Sequence, residues 1–366
     1  MIMPQGVWSR LVPEKDLVAA DPVLRAAELE LRRRLYRHAH LPDDTIISDV
    51  LYVPVAYTST GTGMAPHPIR PEQLEGASRF EPVIVRESDI DGIGVPRVSV
   101  DEQETARRES RLGEVFGGIL SVERRGEWMP GEALMDHFAV LRGLENLYAD
   151  LLERPKWVHE AMERMCRARL AYLDQVEELG LLTLNNNHLR VGTGGLGVTD
   201  ELPAPDYVPP FVRSRDMWGR GSCQVFASVS PDMHAEFALQ YENRVLERFG
   251  LNCYGCCEPL HHKIGILRSV PHLRRVSMSP WVDVEKGAAE LGRDYIFSYK
   301  PNPAVLATSG WSPAQVENNL REVVRKARGC VLEIIMKDIE TCTGCPERLT
   351  EWGTIARRVA DEAGHA

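Results

Sequence analysis

Five of the eight cysteines in this chain fall into two clusters: Cys253, Cys256 and Cys257 in NCYGCCE, and Cys342 and Cys345 in ETCTGCPE. Cys166, Cys223 and Cys330 stand alone. A reducing compartment disfavours a disulfide framework, so two C-x-x-C spacings point to a soft-metal site or a redox pair. The competing reading is packing, because a free cysteine behaves as a compact hydrophobe. Cys166, inside the helical run VHEAMERMCRARLAYL, is read that way. Cys342 lies 86 residues beyond Cys256, too far for one zinc knuckle, so the clusters meet only if the fold brings them together. Thiolate donors favour zinc among common ions, although an iron–sulfur cluster uses the same residue type.

Other side chains stand beside these thiols in sequence. Glu258 follows Cys257 directly and is a candidate metal ligand or catalytic carboxylate. His188 follows Asn185, Asn186 and Asn187 at the end of LLTLNNN, a position suited to proton transfer or to holding a polar substrate. Asn186, Trp218, Tyr254 and Trp281 are candidate substrate contacts, the aromatics as pocket lining. Lys300, before Pro301, is suited to an anionic group, or is simply an exposed lysine; Lys337 and Asp338 are read as a pair. His261 and His262 read as a solvated first helical turn.

These residues need elements to position them. A helix is predicted over Pro22–His38, then a strand in IISDVLYVPVAY. A turn-rich segment follows over 58–94, then a helix over Asp101–Leu112 and a strand in GGILSVE. Long helices are predicted over Gly131–Leu152 and Pro155–Leu179, the second opening on a proline suited to a first turn. Strands are then read in LLTLN, VFASVS, LNCYG, LRRVSMS, YIFSY and VLEIIM. Between and after them come helices over Pro231–Phe249, Pro259–Ser269, Val284–Leu291, Pro313–Ala327 and Pro346–Ala363. Strands alternating with helices are the mark of parallel βαβ units. With the earlier strands the count approaches eight, so a (β/α)8 TIM barrel with additional N-terminal helices and loops is the leading fold, and a doubly wound sheet the second. GTGGLG, at 192–197, opens no helix and reads as a flexible loop over a site rather than as a dinucleotide turn. In a barrel, chemistry gathers where strands end, and both cysteine clusters follow strands. The chain is read as one domain over 1–366, with an extension and first barrel elements over 1–115 and the main barrel over 116–366.

Composition narrows the function. The chain has 366 residues, 43% hydrophobic and 26% charged, with a formal charge of −10. That is ample for a packed core and runs against a general nucleic-acid binder, which presents a basic face. No apolar run approaches the roughly 20 residues that span a bilayer, and MIMPQGVWSR shows no charged-then-apolar export pattern, so a cytoplasmic protein is expected.

The segments RDMWGRGSCQVFASVSPDMHAEFALQYENRVLERFGLNCYGCCEPLHHKI, RRVSMSPWVDVEKGAAELGRDYIFSYKPNP and EIIMKDIETCTGCPERLTEW resemble the uroporphyrinogen decarboxylase-like superfamily, in its divergent branch from anaerobic bacteria. The resemblance covers residues 130–365. It implies a TIM barrel and, in the zinc-dependent branch, transfer of a methyl group to or from a corrinoid (cobalamin-type) carrier protein, as in anaerobic demethylation. In those methyltransferases a His-x-Cys pair after one strand and a cysteine after the last strand hold the metal. By resemblance Cys256 matches the first cysteine, Tyr254 stands where the family has histidine, and the late cysteine falls at Cys342 or Cys345. Cys253, Cys257 or Glu258 then supplies the missing ligand.

The expected function is therefore a methyltransferase moving a methyl group between a small methylated substrate and a corrinoid protein. Zinc held among Cys256, Cys257, Cys342 and Cys345 activates the substrate heteroatom, with His188 and Glu258 as catalytic candidates. A metal-independent decarboxylase or lyase of a tetrapyrrole or related acid is one alternative; a non-catalytic corrinoid- or tetrapyrrole-binding protein is another. The expected partners are a small methyl donor or acceptor and a corrinoid protein, with a homodimer left open and no nucleic acid or membrane.

Overall fold

The computed structural model describes residues 1–69 and 79–364. Of the turn-rich segment 58–94, residues 70–78 lie outside the described residues. The strands, in chain order, are β1 (Val50–Pro54), β2 (Tyr57–Ser59), β3 (His67–Ile69), β4 (Arg79–Glu81), β5 (Val98–Val100), β6 (Ser121–Arg125), β7 (Gly131–Glu132), β8 (Trp218–Gly221), β9 (Leu251–Tyr254), β10 (Leu273–Met278), β11 (Ile296–Tyr299) and β12 (Val331–Ile334). The chain is of the mixed α/β class, as expected, and it divides into two compact units. One comprises Met1–Pro54, Glu102–Arg124 and Asp283–Ala366, the other Val55–Asp101 and Arg125–Val282. Among the described residues no helix is long and apolar enough to cross a membrane.

The first unit pairs β11 with β12 in parallel, from Ile296 opposite Val331 to Tyr299 opposite Ile334. Its core takes Val316 and Leu320 from the helix Pro313–Lys326, and Leu349, Trp352, Ile355 and Val359 from Glu347–Gly364, joined by Val7 and Trp8 near the N-terminus. The three- and four-residue spacing puts each set on one helix face. Burial of each large side chain contributes about 1.5–3 kcal/mol. The helix Pro22–His40 begins where Asp21 accepts hydrogen bonds from Val23 N (2.9 Å) and Leu24 N (3.0 Å), with proline at the first turn.

In the second unit β7, β8, β9 and β10 are successive parallel neighbours. The helix Pro155–Glu178 buries Val158, Met162, Met165, Cys166 and Leu173 against Leu134, Phe138 and Phe249. Cys166 is thus a core residue, as its helical setting implied. Burial pushes its thiol up to about 11.

Five segments differ from expectation, each for a local reason. The helix expected over Gly131–Leu152 is β7 followed by two helices, Leu134–Arg142 and Leu144–Glu153. The break is Gly143, at φ +85°, where a Cβ would also meet Pro82 Cγ at 2.9 Å. Buried Arg142 then pairs with Asp150 at 2.7 Å, tying the two helices together. LLTLN forms only a single parallel bridge, Leu182 with Glu127. Beyond it the Asn185 side chain replaces the ladder: its amide donates to Trp128 O and Trp218 O, and its oxygen accepts Trp218 N–H, each at 2.9 Å.

The third difference is VFASVS, which is not a strand. Gln224–Phe226 is a 3₁₀ turn, and the strand lies just upstream at WGRG. Glycine carries no apolar signal, but here it makes the strand's packing possible. A Cβ on Gly219 would stand 2.4 Å from Phe249 Cδ2 and 2.5 Å from Asn252 Oδ1. A Cβ on Gly221 would stand 2.8 Å from the Tyr254 ring. Finally, the helices expected over Pro231–Phe249 and Pro259–Ser269 are broken. The first carries a π-turn at Ala235–Leu239, and the second is split into Leu260–His262 and Ile264–Leu267.

The Gly219→Ala variant is therefore expected to lose about 1–3 kcal/mol by overpacking. Gly265→Ala, whose Cβ would meet nothing within 4 Å, is expected to be neutral or slightly stabilising. Urea midpoints of the two variants check this; equal midpoints would contradict the packing of β8.

Candidate functional site at the carboxyl ends of the parallel strands

Side-chain alternation along β8 and β9 sorts this region into two faces. Gly219, Gly221, Asn252 and Tyr254 turn toward the helical run over 231–246, where Asn252 Nδ2 donates to Leu246 O at 2.8 Å. Trp218, Arg220 and Cys253 turn the other way, against a hairpin over 189–197.

The helix-facing side holds a continuous buried polar chain. Lys263 Nζ donates to Phe226 O and lies 3.2 Å from His234 Nδ1. His234 Nε2 is 2.9 Å from the Tyr254 hydroxyl, which donates to Glu242 Oε2 at 2.7 Å. All four residues are buried. The inventory of donors sets the direction. Lys263 gives a proton toward His234 Nδ1, so the imidazole carries its own on Nε2 and donates to Tyr254, which donates onward to Glu242. Burial, helped by the Lys263 charge, drives His234 down to about 3, so the ring is neutral. Burial lowers Lys263 as well. It raises Glu242 well above the usual carboxylate range, an effect the Tyr254 hydrogen bond opposes and the charges of Asp136, Glu132 and Glu258 reinforce. Glu242 Oε1 is buried without a hydrogen-bond partner. The π-turn lies between His234 and Glu242, and such turns concentrate at functional places in helices.

Glu258 is the second organiser. It is buried, and its carboxylate accepts Cys223 N–H at 3.1 Å and Cys256 N–H at 2.6 Å. One side chain thus ties the loop after β8 to the loop after β9. Burial holds its carboxyl above the usual carboxylate range, partly offset by hydrogen bonds from the backbone amides of Cys256 and of Glu258 itself. Cys223 is sealed beneath it, its thiol held well above its ordinary value by burial. Beyond it the chain turns outward, leaving Cys256 half-buried and Cys257 exposed. Their sulfurs are 3.5 Å apart.

On the opposite face the glycine-rich segment differs from the flexible loop expected. It is a pinned hairpin: Gly197 N–H donates to Leu189 O at 2.8 Å, and Arg190 bridges Leu196. Trp218 Nε1 donates to Gly197 O at 2.9 Å and Arg275 Nη2 to Leu196 O at 3.0 Å. Thr193 Oγ1 lies 3.0 Å from Ser277 Oγ. Trp218 is buried with Val191, Leu202, Leu251 and Cys253, so its indole anchors the hairpin.

The remaining expected site residues lie apart from this cluster or in the other unit. Asn186 is half-buried and donates to Leu202 O at 2.5 Å. His188 is half-buried in the loop before the hairpin, and Trp281 is 72% exposed. Tyr254, expected to line a pocket, lies in the buried relay. In the first unit Lys300 is buried, not exposed as its ordinary reading had it, with Nζ 3.3 Å from Ser298 Oγ. Lys337 and Asp338 pair at 2.9 Å as expected. Cys342 packs into that unit's core, its thiol raised by burial, and Cys345 N–H donates to Cys342 O at 2.9 Å in the turn between them. Among the described residues no group of three or more His, Cys, Asp or Glu is arranged to hold a metal ion.

Sequence reasoning missed His234, Glu242, Lys263 and Arg220. The available signal was two polar residues, His234 and Glu242, eight positions apart on what is otherwise an apolar helical stripe.

The relay fixes a pH dependence. Above its ordinary value of 4.5 Glu242 ionises when unfolded but stays neutral when folded, so its contribution falls as pH rises. His234 is neutral when folded but protonates when unfolded below 6.5, so its contribution is complete above that value and is lost as pH falls toward about 3. Each group acts with a slope of up to about 1.4 kcal/mol per pH unit. Glu242→Gln, which keeps the neutral shape, is expected to be more stable than the wild type at pH 8 and close to it at pH 4. Urea unfolding across that range tests this; superimposable pH profiles would contradict it.

No protein-family model matches the chain, and no curated protein does. Among solved structures, its fold is similar to that of a methyltransferase from Methanosarcina mazei, with a TM-score of 0.50 and 11% identity over 94% of this chain and 86% of that one.

Proposed function

We propose that this protein is a methyltransferase built on a (β/α)8-type barrel, moving a methyl group between a small methylated substrate and a corrinoid carried by a partner protein. The observation that carries the reading is the adjacent thiol pair, Cys256 and Cys257, placed just past the end of a parallel strand, where α/β folds gather their chemistry. The Methanosarcina mazei methyltransferase of similar fold supports the reaction class.

The donor chemistry of the pair suits zinc. Cys256 and Cys257, with sulfurs 3.5 Å apart, present two adjacent soft donors of the kind zinc takes. Cys256 and Cys257 would supply two ligands, and Cys342 with Cys345 is the chain's other candidate pair. Zinc, when bound, supplies a Lewis acid that stabilises a thiolate or a leaving oxygen near neutral pH.

The chain's own part is positioning. Glu258, holding the Cys256 amide, fixes where the thiol pair leaves the strand. The Tyr254 hydroxyl, held between His234 and Glu242, locks the strand behind it. His188 is the proposed proton donor or substrate anchor. A cytoplasmic location and a homodimer belong to the same proposal.

Metal analysis of the anaerobically purified protein tests it, alongside demethylation of methylcobalamin with a small thiol as acceptor. About one zinc per chain is expected. Both zinc content and activity are expected to be largely lost in Cys256→Ser. Cys257→Ser, Cys342→Ser and Cys345→Ser show which pair holds the ion. A zinc-free wild type with full activity would sink the zinc proposal, and a zinc-loaded protein without methyl transfer would sink the reaction.

A further inference from the structure

Arg220 is the middle of WGRG, on the face of β8 that meets the 189–197 hairpin. It is half-buried, its Nε is sealed from solvent, and its guanidinium makes no hydrogen bond or ion pair among the described residues. A guanidinium placed this way gives up hydration at Nε that the surrounding fold does not replace.

The backbone around it is cut back to make room. Gly131 is its register partner on β7, and a Cβ there would fall 2.1 Å from Arg220 Cγ and 2.7 Å from Nε. Gly192, at φ +58° in the hairpin, would place a Cβ 3.4 Å from Arg220 Cδ and 2.9 Å from Cys253 Sγ. Two neighbouring segments, β7 and the hairpin, therefore carry glycine where the arginine stem passes. The neighbouring carboxylate on β7, Glu132, is committed to Arg169 at 2.7 Å. Arg275, on the same face of the sheet, lies over the Trp218 ring at 5.0 Å and adds a second positive charge.

We propose that Arg220 is the binding residue for an anionic group, carboxylate or phosphate, on the substrate. The planar fork of a guanidinium matches the paired oxygens of either group. Such an anion replaces the hydration that Arg220 loses in the fold. The inference rests on the methyltransferase reading only in calling the ligand a substrate; anion binding is measured without any activity.

The test uses the full-length protein at constant ionic strength, adjusted with chloride, with melting temperature followed against inorganic phosphate in one arm and acetate in the other. A saturable rise is expected in at least one arm, and the arm with the tighter dissociation constant identifies the anion. Arg220→Met, which keeps the stem beside Gly131 and Gly192, is expected to weaken that constant at least tenfold. Arg220→Lys, which keeps the charge but loses the fork, is expected to weaken it several-fold, and it supplies the test if the methionine variant does not fold. No saturable rise in either arm overturns the proposal, as does a rise undiminished in a folded Arg220 variant. Failure of methyl transfer with anion binding intact would count against the reaction and leave the anion site standing.

Discussion

The packing of Tyr254 against Gly221 is the contact on which the rest of the second unit's site depends. Because β8 offers no side chain on that face, the Tyr254 ring can pack directly against Gly221 and send its hydroxyl to Glu242 and His234. Strand alternation then leaves no choice for the neighbours. Cys253 and Arg220 must face the hairpin, and Cys256 and Cys257 can leave the sheet only once the strand has ended at Tyr254. The Glu258 carboxylate completes the arrangement by holding the amides of Cys223 and Cys256 together. Three cysteines within five residues thereby acquire different roles: one is buried packing and two are accessible thiols.

This arrangement carries an energetic cost. Burying Lys263, His234, Tyr254 and Glu242 together sacrifices hydration that their mutual hydrogen bonds only partly replace, and Glu242 Oε1 is left unsatisfied. A chain of directional bonds of this kind narrows the number of ways the helix can pack on the sheet, whereas an apolar substitute would tolerate sliding. The π-turn at Ala235–Leu239 fits that view, since it alters the helical phase between His234 and Glu242 so that both reach the same hydroxyl.

Much of the fold was legible in the sequence because its signals are local. Short runs such as LNCYG, LRRVSMS and YIFSY, set between helices, are strands within a residue or so, and the proline-opened helix Pro155–Glu178 ends one residue from its expected stop. β8 was not legible, because WGRG owes its strand to rings contributed by Phe249 and Tyr254, some thirty residues later. The Asn185 side chain likewise stands in for a backbone ladder, a substitution no propensity reveals. The clustering of cysteines was visible, and so was the packing role of Cys166. The separation of Cys253 from Cys256 and Cys257 depends on where β9 stops, and the burial of Trp218 depends on Val191, Gly197 and Leu202, distant in sequence.

The most direct measurement of this account is the rate at which each cysteine is alkylated in the native protein, mapped by mass spectrometry. Strand alternation and the Glu258 tie predict that Cys257 and Cys256 react first, while Cys253, Cys223 and Cys166 react only as fast as the unit unfolds. Rapid labelling of Cys253 or Cys223 under native conditions would contradict the assignment of faces, and the placement of the candidate site would fall with it.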